Sequence, residues 1–246
     1  MPPDTPTGSS SHDPAQRTVA AQRAVLEIAE LAGGLAHELR NPLSTMMINL
    51  KLLSEDLGDS FADFNDTRRR ALLKVDVLRR EAERLQALFD EFLSLAGPYS
   101  LHRTRLDLND IVARLVEFCE PMMNAHGIKL QHIAKTRPLP CDLDEKLISR
   151  ALLNLAINAR QAMPSGGELT ITTESDDRAV VLHLRDTGVG IADADRARIF
   201  RPFFSTKPNG TGLGLSITQR IIHEHGGTLT FASTAGQGTT FAIRLP

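Results

Sequence analysis

Residues 36–43 read Ala-His-Glu-Leu-Arg-Asn-Pro-Leu, placing an imidazole (His37), a carboxylate (Glu38) and a carboxamide (Asn41) within five positions. A free imidazole has a pKa of about 6.5 and is mostly neutral at cellular pH, so it can act as a nucleophile or a base. The carboxylate beside it can take or orient the ring proton, and the amide can position water or an acceptor. His-Glu also opens the zinc-protease string His-Glu-x-x-His, but that site needs a second imidazole where this chain has Asn41, so a zinc site is discarded.

Four further clusters lie in the second half. Asn154 and Asn158 stand at i and i+4, on one face of an expected helix. A hard cation such as Mg²⁺ takes oxygen ligands and keeps much of its water, so one side-chain carbonyl of this pair can suffice as its protein ligand. Asp186-Thr-Gly188-Val-Gly190 follows an apolar run. A carboxylate there can accept from an amine, while the glycines let a ligand approach the backbone. Gly210-Thr211-Gly212-Leu213-Gly214 opens straight into a helix, where unpaired amides and bare backbone form an anion site. It is neither the Walker nor the dinucleotide fingerprint, because no Gly-Lys-Ser/Thr follows and the glycine spacing differs. The preceding run from Phe200 to Lys207 joins apolar anchors to a cation, which suits a lid over phosphates.

Elements that could position these groups follow from periodicity. Leu39, Leu43, Met46, Leu50, Leu53 and Leu57 recur at spacings of 4, 3, 4, 3 and 4, the stripe of a packed helix over 18–57. At about 100° per residue, His37 falls off that stripe and faces water, with Arg40 and Asn41 on its side. Pro42 is expected to bend or loosen the turn behind it. A second stripe, Leu72, Val75, Leu78, Ala82, Leu85, Phe89 and Phe92, ends at Gly97-Pro98. One hairpin of two such helices leaves half of each stripe wet, so two copies should dock as a homodimeric four-helix bundle. The arginines at 68–70 and 79–80 read as solvated faces.

Beyond Gly97 the texture alternates. Helices are expected over 107–126, 144–163, 195–200 and 213–225, the second of these after a Pro-Cys-Asp turn. Strands are expected over 128–133, 168–173, 179–185, 227–232 and 239–245. A sheet with helices on one face is the economical packing. The domain plan is a disordered tail (1–17), a helical hairpin (18–97), a linker (98–106) and a catalytic unit (107–246). The net charge of −2, one Tyr and no Trp give neither field nor stacking platforms for direct nucleic acid binding. Cys119 and Cys141 lack metal spacing and read as packing residues. No run reaches the roughly 18 to 20 apolar residues of a membrane span, and no leader is evident, so membrane insertion is not expected and the protein is expected to be cytoplasmic. His223 and His225 diverge on a helix and read as C-terminal charge and capping, and His183 as a packed or edge residue.

In this order the motifs resemble those of the sensor histidine kinases of two-component signalling, over roughly residues 20–246. His-Glu-x-x-Asn-Pro is similar to the phosphoacceptor box, with His37 phosphorylated. Asn158 matches the magnesium-binding asparagine. Asp186, Gly188 and Gly190 match the adenine box, Phe200 to Phe204 the phenylalanine box, and Gly210, Gly212 and Gly214 the second glycine box, with Thr239 near the adenine. The fold this implies is an antiparallel helical hairpin forming a dimeric four-helix bundle, followed by an α/β sandwich of the Bergerat ATP-binding type.

The resemblance implies ATP and Mg²⁺ as cofactors, phosphoryl transfer from His37 to an aspartate of a response regulator receiver domain, and a matching phosphatase activity. The short stretch from Ser205 to Thr211 is most similar to the nitrogen-regulation class, which feeds transcription through an alternative sigma factor. Gln161 lies where many members carry Lys or Arg, although this class often has Gln. No sensor domain is recognisable before the first helix, so input is expected through the tail, the helices or a separate sensor protein, unless the chain is an excised core. Two rival classes predict different products. A nucleotide-gated interaction module would bind ATP without labelling a histidine, and a serine kinase of the same superfamily would give an acid-stable product.

Overall fold

The computed structural model describes residues 14–58, 64–96, 100–176, 179–207 and 210–246, without the side chains of 14–31, 37, 58, 64 and 65. Two long helices come first, α1 (Pro14–Gly58) and α2 (Phe64–Ala96), packed along each other. Residues 14–17, expected in the tail, are helical; residues 1–13 of that tail lie outside the described part. The helix also runs unbroken through Pro42, which is buried, while the Thr45 hydroxyl donates to the Asn41 carbonyl one turn back. The outward orientation expected for His37 falls outside the described side chains; its backbone lies in α1.

The hairpin buries only part of its apolar stripes. Leu39, Met46, Leu53, Leu78 and Leu85 are half-buried, whereas Leu43, Leu50, Leu57, Leu72, Val75 and Phe89 remain exposed within one protomer. Lys74 of α2 donates to the Leu52 carbonyl at 3.0 Å and pairs with Asp56, joining the two helices near their shared turn. The arginines are solvated as expected, with Arg69 and Arg70 on Asp66, and Arg79 and Arg80 on Asp76.

The second unit contains β1 (Thr104–Asp107), α3 (Leu108–Asn124), β2 (Ile128–Ala134), β3 (Pro140–Leu143), α4 (Glu145–Ala162), β4 (Gly167–Asp176), β5 (Ala179–Asp186), α5 (Gly214–Glu224), β6 (Thr228–Thr234) and β7 (Gly238–Leu245). Five strands form one mixed sheet in the order β2-β4-β5-β7-β6, parallel only between β2 and β4. β1 and β3 form a separate antiparallel pair. That pair revises two expectations: the end of the 98–106 linker is a strand, and the Pro-Cys-Asp segment is its partner and not a turn. Cys141 and Leu143 alternate inward along β3, too short a signal to read from periodicity. The short helix expected at 195–200 is instead a single 3-10 turn, Asp193–Asp195, followed by turns.

All three helices lie against one face of the sheet, whose alternate residues Val180, Leu182 and Leu184 on β5 and Phe241, Ile243 and Leu245 on β7 are buried. α4 buries Ile148, Ala151, Leu152, Leu155, Ala156 and Ala159, a spacing near 3.6 residues, and its ends are set locally. Asp144 is the N-cap, accepting from Leu147 N at 3.2 Å. The Asp144 backbone N–H donates to Nε2 of His225, while Nδ1 of the same ring meets the Ile221 carbonyl at 2.7 Å. A neutral imidazole, one nitrogen donating and the other accepting, fulfils both bonds. His225 is therefore a buried brace between the start of α4 and the end of α5, and not an exposed terminal charge. His183 lies on the central strand β5, and its ring is 3.4 Å from the Glu174 carboxylate, so it is not an edge residue. Burial pushes the Cys141 thiol up to about 11 and raises that of Cys119, as expected of packing residues.

The core of this unit continues into the hairpin. Leu88 of α2 is fully buried with it, Arg150 of α4 donates to Ser94 Oγ at 2.7 Å, and Arg220 of α5 reaches the Ser94 and Leu95 carbonyls. Truncating Leu155 removes a side chain with 1% exposure from the centre of this core. Leu155→Ala should destabilise the second unit by about 2 to 5 kcal/mol, read as a lowered midpoint in chemical denaturation.

Candidate nucleotide site

The site forms where β5 ends and β7 begins, against α4. Asp186, 4% exposed at the end of β5, accepts through Oδ1 from Gly188 N at 2.9 Å and from Thr239 N at 3.1 Å. Both bonds fall on the same oxygen, and among the described residues no hydrogen bond reaches Oδ2. Burial pushes this carboxyl up, the two backbone donors pull it down, and the Lys207 charge adds a smaller pull.

The glycines around it are close approaches of backbone. A Cβ on Gly188 would stand 2.5 Å from the Ala162 carbonyl of α4, and one on Gly238, at φ +92°, would stand 2.0 Å from the Asp186 carbonyl. Those contacts fix the distance between the carboxylate and the helix carrying the asparagines. Gly190 touches the chain at Thr234 in the same way. Thr239 is buried and its side chain bonds Ser233 Oγ at 3.0 Å. An open depression beside these residues is lined by β5, β7, the end of β6 and the turn between β6 and β7, with Asp186, Ser233 and Thr239 among its residues and none from α4.

On α4, Asn154, Asn158 and Gln161 share a stripe at spacings of four and three. Asn154 Nδ2 donates to the Gly214 carbonyl at 3.4 Å, clamping the first turn of α5. Asn158 Oδ1 and Gln161 Oε1 both accept from the Lys207 ammonium, at 3.1 and 2.6 Å. Burial pushes the Lys207 ammonium below its ordinary value, the Asp186 charge draws it back, and Arg160 pushes it further down. The Asn158 oxygen thus already holds a cation, so the donor set suits a hard metal ion with water completing its shell.

The glycine loop runs Gly210, Thr211, Gly212 into α5, with Gly212 at φ +69° lying against the backbone of Phe203. Leu213 is fully buried, so it anchors the loop from below. Phe200 is likewise an anchor, its ring edge-on to Phe231 with centroids 5.8 Å apart. Phe203 adopts φ +63°, a left-handed conformation rare for a bulky residue. Its ring rests on α1: a Cβ on Gly34 would lie 2.2 Å from Phe203 Cδ2. Gly34 is three residues before His37, so the catalytic unit touches the turn of α1 that carries the imidazole. Thr211 is engaged by Glu91 of α2, whose carboxyl burial pushes up and the Thr211 hydroxyl draws down. Among the described residues, Glu91 Oε2 is buried without a hydrogen-bond partner.

Sequence reasoning singled out neither Gly34 nor Glu91. Gly33-Gly34 inside a helical stripe was the available signal, since glycine there costs helix stability and implies close packing.

Comparison with known proteins agrees with this geometry. The family described as His Kinase A (phospho-acceptor) domain matches residues 27–97, and that described as Histidine kinase-, DNA gyrase B-, and HSP90-like ATPase matches residues 143–246. The sensor histidine kinase ZraS of Escherichia coli (strain K12) is 33% identical over 222 residues, covering 90% of this chain and 46% of that protein. Sporulation kinase E of Bacillus subtilis (strain 168) is 30% identical over 89% of this chain and 28% of its own length. The chain therefore spans less than half of these relatives. Among solved structures, the catalytic domain of histidine kinase ThkA is 30% identical, with TM-score 0.55 over 59% of this chain and 95% of that domain. ThkA in complex with the response regulator protein TrrA shares the fold at TM-score 0.74 and 24% identity, over 92% of this chain and 63% of that one. The chain belongs to the histidine kinase family. Among the described residues, no helix is long and apolar enough to cross a membrane.

The contact of Phe203 with Gly34 gives a direct test of docking. Gly34→Val should displace the ring and release the catalytic unit from α1, raising amide hydrogen exchange over residues 199–207 while leaving exchange in β5 and β7 unchanged.

Proposed function

We propose that the chain is an ATP-dependent protein-histidine autokinase. His37 acquires the γ-phosphoryl group of ATP and passes it to an aspartate of a response regulator receiver domain. The observation that carries this reading is Asp186, a buried carboxylate with one oxygen fixed by two backbone amides and the other without a hydrogen bond among the described residues, in a family whose members bind ATP there. The exocyclic amine of adenine is the matching donor, with Thr239 beside it. Gly188, Gly190, Gly210, Gly212 and Gly214 let the nucleotide approach backbone, and the start of α5 offers amides to phosphate oxygens.

Asn158 is the side chain that would hold Mg²⁺, which when bound neutralises charge across the β- and γ-phosphate oxygens. Lys207 adds a second positive charge near the same oxygens. At the reacting end, an imidazole nitrogen of His37 forms the N–P bond as the bond from γ-phosphorus to its bridging oxygen breaks and ADP leaves. Glu38 takes or orients the ring proton and Asn41 positions the acceptor or water. The same Glu38 and Asn41 pair supports dephosphorylation of the regulator.

The working unit in this reading is a homodimer. Leu43, Leu50, Leu57, Leu72, Val75 and Phe89 form the exposed apolar stripe that a second hairpin would cover, completing four helices. The phosphoacceptor and catalytic units divide between α2 and β1. The seven residues from Ser205 to Thr211 favour the nitrogen-regulation class, with transcription as the output.

Incubation with γ-labelled ATP should give an acid-labile phosphoprotein in the native chain and none in His37→Gln; equal labelling of both would remove His37 from the reaction. Asp186→Asn keeps the shape but turns a donor toward the adenine amine, so ADP affinity should fall about 10- to 100-fold by calorimetry. Protonation of Asp186 would cost the same acceptor. Its raised pKa in the free site therefore sets the pH at which affinity fails: binding is complete above that pKa and is lost as pH falls through it, beginning above the usual carboxylate range.

A further inference from the structure

Lys207 carries three N–H donors, and two of them are met by side-chain carbonyl oxygens on one stripe of α4, Asn158 Oδ1 at 3.1 Å and Gln161 Oε1 at 2.6 Å. An ammonium ordinarily seeks water or a carboxylate; here it is drawn onto two neutral amides. Asn158 Oδ1 is also the oxygen assigned above to the metal ion. One carbonyl oxygen cannot serve an ammonium at hydrogen-bond distance and a divalent ion at ligand distance together, because two positive charges would stand within a few ångströms of each other.

We propose that Lys207 is a resident cation, parked on Asn158 by Gln161, which exchanges with the incoming divalent metal when nucleotide binds. Gln161 is then a positioning residue: its carbonyl takes the shorter of the two hydrogen bonds and sets how much is lost when the ammonium leaves. Once released, Lys207 stays on the same side of the cleft, where the phosphate oxygens are its natural partners. The exchange makes metal binding and the engagement of Lys207 with phosphate one event, so nucleotide without metal leaves the lysine on its amides.

The choice of Gln at position 161 follows from this scheme. A Lys or Arg there would repel the Lys207 ammonium and leave Asn158 open at all times. A neutral acceptor retains it until a stronger cation arrives. Arg160, next in sequence, is turned away, with its guanidinium on Nε2 of His126 at 3.1 Å, so it does not compete for the two amides.

This proposal rests on the ATP-site reading, and two measurements on the full chain separate their failures. The first is acylation of lysines by an amine-reactive ester in nucleotide-free protein, followed by peptide mass spectrometry, with Lys51, whose side chain is 80% exposed, as internal reference. Gln161→Leu should speed acylation of Lys207 relative to Lys51 by about 3-fold or more, as expected when a hydrogen bond to a charged group is lost. The second is calorimetric titration with ADP, in Mg²⁺ and in chelator. The ratio of the two affinities should rise about 5-fold or more in Gln161→Leu, the scale of coupling between sites that exclude one another.

Equal Lys207 acylation in the native chain and Gln161→Leu would overturn the parked lysine. Faster acylation with an unchanged affinity ratio would overturn the exchange. Absence of ADP binding under both conditions would overturn the nucleotide-site reading, and the proposal with it.

Discussion

The site depends on one buried carboxylate tied to the backbone at two places. Asp186 Oδ1 binds the amides of Gly188 and Thr239, so the end of β5, the glycine turn after it and the start of β7 are held by a single oxygen. Removing such a group from water is costly, and the two amides offset that cost. Gly188 and Gly238 complete the arrangement by lacking a Cβ where one would strike the Ala162 and Asp186 carbonyls. The distance from the carboxylate to α4 is thereby set by bare backbone contacts. The asparagine stripe of α4 inherits its position from the same contacts.

Charge within the cleft is arranged around that anchor. Lys207 lies on the amides of Asn158 and Gln161 and feels the negative charge of Asp186 on one side and Arg160 on the other. Glu91 approaches from the hairpin and meets Thr211 of the glycine loop. A loop suited to phosphate oxygens therefore has an acidic neighbour supplied by the phosphoacceptor unit. The two units touch at that contact, at Phe203 on Gly34, and at Arg150 and Arg220, which hold the end of α2.

The hairpin is incomplete as a single copy, and its chemistry explains why. Helices α1 and α2 bury one side of their stripes against each other and leave Leu43, Leu50, Leu72 and Phe89 uncovered. Leu88, by contrast, is fully buried because the end of α2 enters the core of the second unit. One helix thus serves two cores, apolar stripe to apolar stripe along most of its length and side chain to sheet-backed core at its end.

Much of this was legible in the sequence. The stripes of α1 and α2, the amphipathic period of α4, the five strands of the main sheet and the clusters around Asn158, Asp186 and Gly210 all follow from local spacing, since a period of 3.6 or 2 and a glycine turn are properties of neighbours along the chain. The pairing of β1 with β3 was not legible, because four-residue strands carry too little alternation and gain their identity from the partner. The neutral brace formed by His225 was equally hidden, as it depends on what surrounds the ring. What the sequence determined by itself was which residue types stand at which spacing, and hence the family and its chemistry. Only the tertiary structure decided that Phe203 rests on Gly34, that Asn154 clamps α5 and that Lys207 occupies the asparagine oxygen, because such contacts join residues far apart in the chain, and packing and charge choose among partners that local spacing leaves equivalent.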